Sequence, residues 1–246
     1  MLSKIFRNFK KTDNKLPEFY TTDLHSHLIP SIDDGSKSMT QSIEMITSLK
    51  NMGFKKLIIT PHTMSHRFPN SKSDILKGFD ELQEEVIKQN IDIHLEVASE
   101  YYYDEHFFEL IKNKELLTFG DNYILFELSY TTPVFGIEQT IYELLKAGYK
   151  PILAHPERYT YFSQSLEKYH QLKEAGLYFQ INVNSTNDFY GKRAKKAVDY
   201  LINNGLVDFV GSDTHRPNYI ESLSQSINSK SFRKIKEKNE IKNRYL

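Results

Sequence analysis

The sequence predicts an α/β fold in which seven βα units close into one parallel barrel. Seven short segments rich in branched and aromatic residues alternate with segments of helical periodicity, which is the pattern of a parallel sheet built from βα units. The 246 residues, of which 39% are hydrophobic and 26% charged, suffice for one well-buried domain. No internal repeat or low-complexity linker divides the chain. We therefore expect a single barrel domain over residues 18–246, preceded by a basic extension over residues 1–17.

Composition and apolar spacing place the elements of this barrel. We expect strands near residues 20–24, 56–60, 92–98, 123–128, 151–154, 178–183 and 207–211. The first helix carries an apolar stripe at steps of four, three and three, formed by Met39, Ile43, Ile46 and Leu49. Ser38 and Gln41 predict a capping box at the start of this helix, and Gly53 predicts its end.

Two later helices carry apolar stripes of the same kind. One ends at Gly148 and consists of Ile137, Ile141, Leu144 and Leu145. The other ends near Gly205 and consists of Ala194, Ala197, Val198 and Leu201. Stripes at helical spacing are typical of helices that pack on a core, so we interpret them as structural.

The absence of cysteine excludes several classes of function. Disulfides, thiolate zinc sites and every mechanism with a cysteine nucleophile are excluded, including cysteine-based phosphotyrosine hydrolysis. The start of the chain lacks the uninterrupted apolar core of a signal peptide, and no run approaches the roughly 18 apolar residues of a membrane span. We expect a cytoplasmic protein.

The formal net charge is zero, but the charge is distributed unevenly. Residues 1–15 carry five basic residues against one acidic residue, and residues 229–246 carry seven against two, so the chain between them is acidic. An acidic centre argues against a groove for nucleic acid. Near the start, a basic stretch holds an apolar stripe typical of an interfacial helix, formed by Leu2, Ile5, Phe6 and Phe9. The basic ends therefore suggest peripheral contact with the inner membrane surface, with a solvated tail as the alternative.

Five of the nine histidines follow apolar, strand-like runs, and a parallel barrel gathers the carboxyl ends of its strands on one face. They are His25, His27, His62, His155 and His215. Three carboxylates also lie at the ends of predicted strands, namely Glu100, Glu127 and Asp213. A fourth, Asp34, lies in the loop after the first strand. A spacing of two directs both members of His25/His27, and of Asp213/His215, to one side of an extended backbone. Imidazole combined with carboxylate suits zinc, iron or manganese, so we predict a metal site at this rim.

The other four histidines lack this placement, and we interpret them as structural or solvated. They are His66, His94, His106 and His170.

Six motifs, met in order between about residues 20 and 215, resemble those of a known superfamily. They are D-L-H-S-H-L-I-P-S-I-D-D-G, I-I-T-P-H, E-V-A-S-E-Y-Y, I-L-F-E, L-A-H-P-E-R-Y and V-G-S-D-T-H. The set resembles the polymerase and histidinol phosphatase (PHP) superfamily, and more narrowly its bacterial manganese-dependent protein-tyrosine phosphatases, which oppose the tyrosine kinases of capsule and exopolysaccharide synthesis. The resemblance implies a distorted TIM-like (β/α)7 barrel, the PHP fold. It also implies three divalent metal ions, manganese first, with iron or zinc as alternatives.

Carried over onto this chain, the resemblance implies three ligand sets. They are His25, His27, Glu100 and Asp213 for the first ion, Glu127 and His155 with Glu100 bridging for the second, and Asp34, His62 and His215 for the third. Asp33 competes with Asp34. Because neighbours in an extended segment face opposite sides, we interpret Asp33 as a residue that points away and supports the loop.

Two arginines are candidates for contact with a substrate phosphate. The resemblance implies that role for Arg158, for which the alternative is a surface ion pair with Glu157. The chain departs from the family pattern directly after the V-G-S-D-T-H motif. It continues with R-P-N from Arg216, whereas many relatives continue with asparagine. Arg216 either supplies a second phosphate contact or borders the pocket. The tyrosines at 101–103 either wall an aryl-binding pocket or pack within their loop.

The implied chemistry is hydrolysis of phosphotyrosine by a metal-bridged hydroxide. A water shared between divalent cations ionises near neutral pH, instead of near a pKa of roughly 15.7, and attacks phosphorus in line. Arg158 and the ions would offset the charge on the equatorial oxygens. The phenolate leaving group has a conjugate acid with a pKa of about 10, so no general acid is assigned. The expected partner is a phosphotyrosine protein, such as the tail of a bacterial tyrosine kinase, and not a nucleic acid.

Two other functions stand as alternatives. A small-molecule phosphomonoesterase of the histidinol phosphatase type is similar in fold. Glu127 and Asp34 favour the tyrosine phosphatases, because other branches of the superfamily more often carry histidines there. A non-catalytic PHP interaction module would lose ligands, whereas this chain keeps the whole set. The sequence does not indicate an oligomeric state.

Overall fold

The computed structural model describes residues 16–162 and 165–246, in which short strands alternate with helices. The strands are β1 (Thr22–Asp23), β2 (Lys56–Ile59), β3 (His62–Thr63), β4 (His94–Val97), β5 (Glu100–Tyr102), β6 (Tyr123–Glu127), β7 (Lys150–Ala154), β8 (Tyr178–Asn182) and β9 (Phe209–Gly211). The helices are α1 (Met39–Met52), α2 (Lys72–Lys88), α3 (Glu105–Asn113), α4 (Ile137–Lys146), α5 (Glu167–Glu174), α6 (Gly191–Asn203), α7 (Pro217–Ser226) and α8 (Lys230–Lys238). The predicted extension and its apolar stripe lie outside the described residues, except for Leu16 and Pro17. Within the described ranges, no helix combines the length and the apolar character needed to cross a membrane.

All paired strands are parallel, and they form two sheets. One sheet has the order β1-β2-β4, and the other has the order β3-β5-β6-β7-β8-β9. Only two residues separate β2 from β3, and β4 from β5, so each of these pairs is one extended run that is interrupted in the middle. The seven predicted strands therefore correspond to seven parallel runs.

The first and last runs meet through a parallel bridge between Ser26 and Thr214. The N–H of His27 also donates to the Thr214 carbonyl at 3.0 Å. Nearer the amino ends of the same runs, a side chain replaces the backbone partner, because the Ser212 N–H donates to Oδ1 of Asp23 at 2.8 Å. The seven runs thus form a ring. Backbone hydrogen bonds join its first and last runs at their carboxyl ends, whereas nearer the amino ends a side chain replaces one backbone partner and distorts the pairing.

Pro61 explains the interruption between β2 and β3. Proline has no N–H and cannot donate to a strand ladder. Its carbonyl still accepts hydrogen bonds from the Glu100 N–H at 3.0 Å and from Oγ of Ser99 at 2.9 Å, which ties the two interrupted runs together. His62 and Glu100, the first residues after the two interruptions, are partners in register.

Two local predictions need correction. The first strand is shorter than expected, because Glu18–Tyr20 forms a 3-10 turn before the paired residues of β1. The Ser38 side chain accepts from the Gln41 N–H and caps α1 as predicted. The Gln41 side chain, however, accepts from the N–H of Lys37 instead of that of Ser38, so the reciprocal half of the capping box was wrong. Gly53 ends the helix with a φ of 112°, in the left-handed region that glycine tolerates.

The hydrophobic core has two parts. The larger part packs the helices on the outside of the ring and contains the predicted stripe residues Ile43, Ile46, Leu49, Ile137, Ile141, Leu144, Val198 and Leu201. Leu145 is 42% exposed, so its assignment to the core was wrong. The smaller part draws on six of the seven runs and consists of Leu24, Ile58, Ala98, Phe119, Leu125, Ile152, Ala154 and Phe209. Glu100 and Glu127 lie two residues beyond Ala98 and Leu125 on the same strand face, so this inner cluster forms the floor below them.

Candidate metal centre

All nine predicted ligands lie together at the carboxyl ends of the parallel runs. They come from the segment after β1 (His25, His27, Asp34), from β3 (His62), β5 (Glu100) and β6 (Glu127), and from the segments after β7 (His155) and β9 (Asp213, His215). Seven of these side chains belong to buried residues, whereas Asp34 and His215 are half-buried. Tertiary structure thus gathers residues separated by up to 190 positions of sequence into one cluster.

The deepest group consists of His25, His27, Glu100 and Asp213. Nε2 of His25 lies 3.2 Å from Oε2 of Glu100 and 3.4 Å from Oδ1 of Asp213. Nε2 of His27 lies 3.4 Å and 3.5 Å from the same two oxygens, and the two Nε2 atoms are 3.2 Å apart. Ligands held about 2.0–2.2 Å from one tetrahedral ion are separated by about 3.3–3.6 Å. These four atoms therefore surround a volume that fits one divalent cation.

Glu100 connects this group to a second one through its other oxygen. Nε2 of His155 lies 3.0 Å from Oε1 of Glu100 and 3.9 Å from Oε2 of Glu127. On the other side, Nδ1 of His62 lies 3.1 Å from Oε2 of Glu100 and 3.3 Å from Oε1 of Glu127. A carboxylate whose two oxygens face different groups has the geometry of a bridging ligand.

Asp34 lies at the outer edge of the cluster. Its Oδ1 atom is 3.4 Å from Nε2 of His62 and 3.4 Å from Nε2 of His215. His62 therefore has one ring nitrogen towards Glu100 and Glu127 and the other towards Asp34. The implied ligand sets assign His62 to the third ion alone, whereas the structure places it between the second group and the third.

Four buried polar atoms of the predicted ligands have no hydrogen-bond partner among the described residues. One of them is Nδ1 of His155, on the ring edge opposite Glu100. The other three face neighbouring ligands and are Oδ1 of Asp34, Nδ1 of His62 and Oε2 of Glu100. An unpaired buried polar group costs about 1–3 kcal/mol, and more when it is charged. Metal coordination would satisfy the atoms of Asp34, His62 and Glu100, and their mixed nitrogen and oxygen donors suit manganese, iron or zinc. The residues present therefore fit a cluster of divalent cations.

The electrostatics of the site keep its central carboxyls ionised. Burial by itself would raise the pKa of Glu100 and of Asp213. The neighbouring histidines, chiefly His25 with His62 beside Glu100 and His25 with His215 beside Asp213, outweigh burial and hold the pKa of both carboxyls well below its ordinary range. Burial lowers the pKa of His25, but the carboxylates of Glu100 and Asp213 raise it by more. The net pKa of His25 is therefore above its ordinary value. Protons and metal ions therefore compete for these imidazoles.

Two side chains behind the cluster orient its deepest histidines. Oε1 of Gln180 lies 2.8 Å from Nδ1 of His25, and Oδ2 of Asp33 lies 2.8 Å from Nδ1 of His27. A hydrogen bond at Nδ1 leaves Nε2 free to face a metal ion. Gln180 was not among the residues predicted for the site. Its signal was present, because Gln180 and Asn182 alternate with apolar residues along β8 and so share the inner face of the barrel.

Asp33 supports the loop as predicted, but it does not point away from the site. Its carboxylate accepts from the N–H of Gly35 at 2.8 Å and from the N–H of His62 at 3.0 Å, in addition to its contact with His27. Burial would raise the pKa of Asp33, but His27 and then His62 outweigh it and lower the pKa to about 2. Asp33 is therefore an ionised brace behind two ligands.

Two of the ligands adopt left-handed backbone conformations. The φ angle is 34° at His155 and 53° at Asp213. Residues other than glycine rarely occupy this region, and such strain concentrates at functional sites. These bends occur where the runs of β7 and β9 end, and they belong to the residues whose side chains enter the cluster.

Arg158 is held between two aromatic rings at the edge of the cluster. Its guanidinium carbon lies 4.4 Å from the ring centroid of Tyr130 and 4.4 Å from that of Tyr190. Nη1 of Arg158 lies 3.1 Å from Oδ2 of Asp213. The predicted alternative, a surface ion pair with Glu157, was wrong, because Glu157 is buried and accepts from the Asn182 N–H at 2.9 Å and from Oγ of Ser185 at 2.6 Å.

A cavity of about 420 Å³ opens above the metal ligands. Arg158 and the exposed Arg216 both line it, and so does Arg67, which was not predicted because no motif marks the hairpin that carries it. Nη2 of Arg67 lies 3.4 Å from Oδ2 of Asp34. Three arginines thus line the cavity, next to the cluster of predicted ligands.

Aromatic residues and one further histidine complete the cavity lining. Tyr102 and Tyr130 line it, whereas Tyr101 is buried and its hydroxyl accepts from the Leu117 N–H at 2.6 Å. His66, interpreted above as structural or solvated, also lines this cavity and lies edge-on to Tyr102. The other three non-ligand histidines lie on α3, α5 and β4, away from the cavity lining.

The fold and the site together define a class of protein, the TIM-like α/β barrels that collect histidines and carboxylates for divalent metals at the carboxyl ends of their strands. Within this class the chain belongs to the CpsB/CapC family of capsular polysaccharide synthesis, whose model matches residues 21–243.

Relatives with curated names agree with this family. The chain is 32% identical over 195 residues to the tyrosine-protein phosphatase YwqE of Bacillus subtilis, covering 78% of this chain and 76% of the relative. It is 30% identical over 200 residues to the tyrosine-protein phosphatase CpsB of Streptococcus agalactiae, covering 78% of this chain and 82% of the relative. The chain also superposes, with a TM-score of 0.79, on a solved structure from a set that comprises YwqE from Bacillus subtilis and CpsB from Streptococcus pneumoniae. The proteins of that set are described as unique metal-dependent tyrosine phosphatases. That match has 27% sequence identity and covers 91% of this chain and 90% of the other.

Proposed function

We propose that this protein is a metal-dependent tyrosine phosphatase that hydrolyses phosphotyrosine in proteins. The observation that carries the proposal is the convergence of nine histidine and carboxylate side chains beside a cavity that Arg158 lines. The family and the named relatives support the same reaction. Cysteine, the usual nucleophile for this reaction in other folds, is absent from the chain.

Three divalent ions, manganese first, with iron or zinc as alternatives, would occupy the cluster. The deepest group would hold one ion through His25, His27, Glu100 and Asp213. Glu127 and His155 would hold a second with Glu100 between them, and Asp34, His62 and His215 a third. Clustered divalent cations supply Lewis acidity and lower the pKa of water towards neutrality.

The protein's own side chains would position the phosphate. Arg158 presents a planar guanidinium that can donate to two phosphate oxygens at once, and the rings of Tyr130 and Tyr190 fix its plane. Arg216 lines the same cavity and supplies a second positive charge. Charge that spreads over the phosphoryl oxygens during transfer is offset best by donors that are already in place. Tyr102 offers an aromatic wall against which the substrate's phenyl ring can pack.

The proposed physiological substrate is a tyrosine kinase of capsule or exopolysaccharide synthesis, dephosphorylated in the cytoplasm. The family's link to capsular polysaccharide synthesis supports this choice. The basic helix α8, which has Lys236 and Lys238 in its last turn, supports contact with an acidic partner surface or with the inner leaflet of a membrane.

The test compares three substrates on the full chain loaded with manganese. We expect turnover of a phosphotyrosyl peptide well above that of the matching phosphoseryl peptide and of histidinol phosphate. Chelation should abolish turnover and manganese should restore it, and the variant Glu100→Gln should remain inactive after manganese is added. Turnover of histidinol phosphate alone would show a small-molecule phosphatase. Failure to bind manganese or another transition metal would show a non-catalytic module.

A further inference from the structure

An apolar groove lies between α3 and α4, next to the cavity of the metal centre. This α3–α4 groove has a volume of about 650 Å³, and its apolar lining includes Tyr103, Phe108, Ile111, Phe135 and Ala147. Phe135 is 92% exposed and Phe108 is 40% exposed. Contiguous apolar surface of this kind marks an interaction site more often than isolated exposed residues do.

The groove and the catalytic cavity share one wall, the segment 129–136 between β6 and α4. Tyr130 in this segment lines the cavity, whereas Phe135 lines the groove. On the neighbouring run, Tyr102 lines the cavity and Tyr103 lines the groove. The Tyr103 hydroxyl donates to the Phe135 carbonyl at 3.2 Å and lies 2.9 Å from Oγ1 of Thr140, which fixes the shared wall. A polypeptide bound in the cavity would reach the groove by following this segment.

The groove also has a defined charge. Lys112, Lys114 and Lys146 belong to its lining, and within the described ranges no carboxylate forms an ion pair with any of them. The carboxylate of Glu143, which also lines the groove, accepts from the side chain of Gln139 at 2.9 Å. An apolar floor with an unpaired basic rim complements an apolar side chain flanked by acidic residues.

We propose that the α3–α4 groove docks the polypeptide that carries the phosphotyrosine. The groove takes an apolar side chain, and its lysines pair with aspartate or glutamate beside that side chain. The proposal rests on the proposed phosphatase function and narrows its substrate class to tyrosine-phosphorylated segments with an acidic–apolar sequence at a fixed distance from the phosphotyrosine.

The experiment uses the manganese-loaded full chain, a phosphotyrosyl peptide library with randomised flanks, and p-nitrophenyl phosphate as a substrate too small to reach the groove. The groove variants are Phe135→Ser and the double variant Lys112→Glu with Lys146→Glu. Matched controls are Ile87→Ser, at an apolar residue of α2 that is 69% exposed, and Lys196→Glu, at an exposed lysine of α6. We expect the wild type to select acidic–apolar peptides. On a selected peptide, each groove variant should lose about tenfold in kcat/KM through KM, whereas turnover of p-nitrophenyl phosphate should not change.

Four outcomes of the turnover assays overturn the docking proposal. They are a wild-type library profile without preference, an equal loss on p-nitrophenyl phosphate, an equal loss in the control variants, and unchanged peptide turnover in the groove variants. Sedimentation of the wild type and of Phe135→Ser tests whether a second copy of the chain occupies the groove. The docking proposal is also overturned if the wild type is a dimer and Phe135→Ser dissociates it without loss of peptide selectivity. Absence of turnover on every substrate contradicts the proposed function instead.

Discussion

Oδ2 of Asp33 lies 2.8 Å from Nδ1 of His27, on the side of the imidazole that faces away from the other ligands. An ionised carboxylate at this position accepts the Nδ1 proton, so Nε2 carries the free electron pair and faces Glu100 and Asp213. The same carboxylate accepts from the N–H of His62, which couples the placement of two ligands.

Replacement of Asp33 by asparagine should therefore weaken metal binding. The change keeps the size of the side chain but removes the charge that fixes the tautomer of His27, and comparable changes behind metal-binding histidines reduce affinity by about 10- to 100-fold. Calorimetric titration of the metal-free protein with manganese measures the effect. Asp92→Asn, at an exposed residue outside the site, is the control. Equal affinity in wild type and Asp33→Asn would contradict the proposed role.

Replacement of Arg158 by lysine should impair catalysis without loss of metal. Lysine keeps the charge but not the planar fork, and it forfeits part of the stacking between Tyr130 and Tyr190. We expect kcat/KM for a phosphotyrosyl peptide to fall by about 100-fold. Metal analysis of the same preparation should give wild-type content, and Arg193→Lys on the exposed face of α6 should behave as wild type. Wild-type kcat/KM in Arg158→Lys would show that a point charge suffices.

Replacement of Gly35 by alanine should disrupt the loop that carries Asp33 and Asp34. A Cβ atom at this position would lie 2.5 Å from Cβ of His27 and closer still to the His27 carbonyl oxygen, so the backbone must shift. We expect a loss of more than about 2 kcal/mol in the free energy of unfolding, together with weaker metal binding. Gly148→Ala is the comparison, because a Cβ there meets no described atom within 4 Å and adds only the strain of a φ of 90°, about 1 kcal/mol. Equal losses in the two variants, measured by urea unfolding, would argue against the steric role of Gly35.

The buried carboxyl of Asp23 should make stability depend on pH. Burial is the main cause that raises the pKa of Asp23 from 3.8 to about 6 in the folded protein, although Ser212 opposes it with hydrogen bonds from its N–H and its hydroxyl. Below pH 3.8 the group is protonated in both the folded and the unfolded state. Between pH 3.8 and about pH 6 the unfolded state ionises this group while burial keeps it protonated in the folded state, so the carboxyl progressively lowers the free energy of unfolding, by about 3 kcal/mol once the pH is well above 6.

Asp23→Asn removes this titration. The difference in the free energy of unfolding between the variant and the wild type, both freed of metal, should shift in favour of the variant by about 2.4 kcal/mol between pH 4 and pH 7.5. Urea unfolding at a series of pH values measures the difference. Asp80→Asn, at an exposed residue of α2, should follow the wild type at every pH. Parallel curves for Asp23→Asn and the wild type would refute the prediction.

Much of the fold was predictable because its signals are local. The alternation of strand-like and helical segments predicted the seven parallel runs, and the apolar stripe of the first helix predicted the buried face of α1. The interruption at Pro61 could also be expected from its missing N–H. Leu145 was assigned wrongly because helical spacing shows which residues share a side of a helix, but not where the neighbouring helix stops covering it.

The sequence by itself determined which side chains gather at the candidate metal centre, because parallel strands bring their carboxyl ends to one face whatever the details of packing. Only the tertiary structure decided how they are grouped: His62 lies between two groups, Asp33 braces His27, and the rings of Tyr130 and Tyr190 enclose Arg158. These relationships depend on contacts between residues far apart in the chain and on ring orientations that close packing selects. Local spacing does not encode such contacts, and for this reason the sequence predicted the members of the site but not its internal geometry.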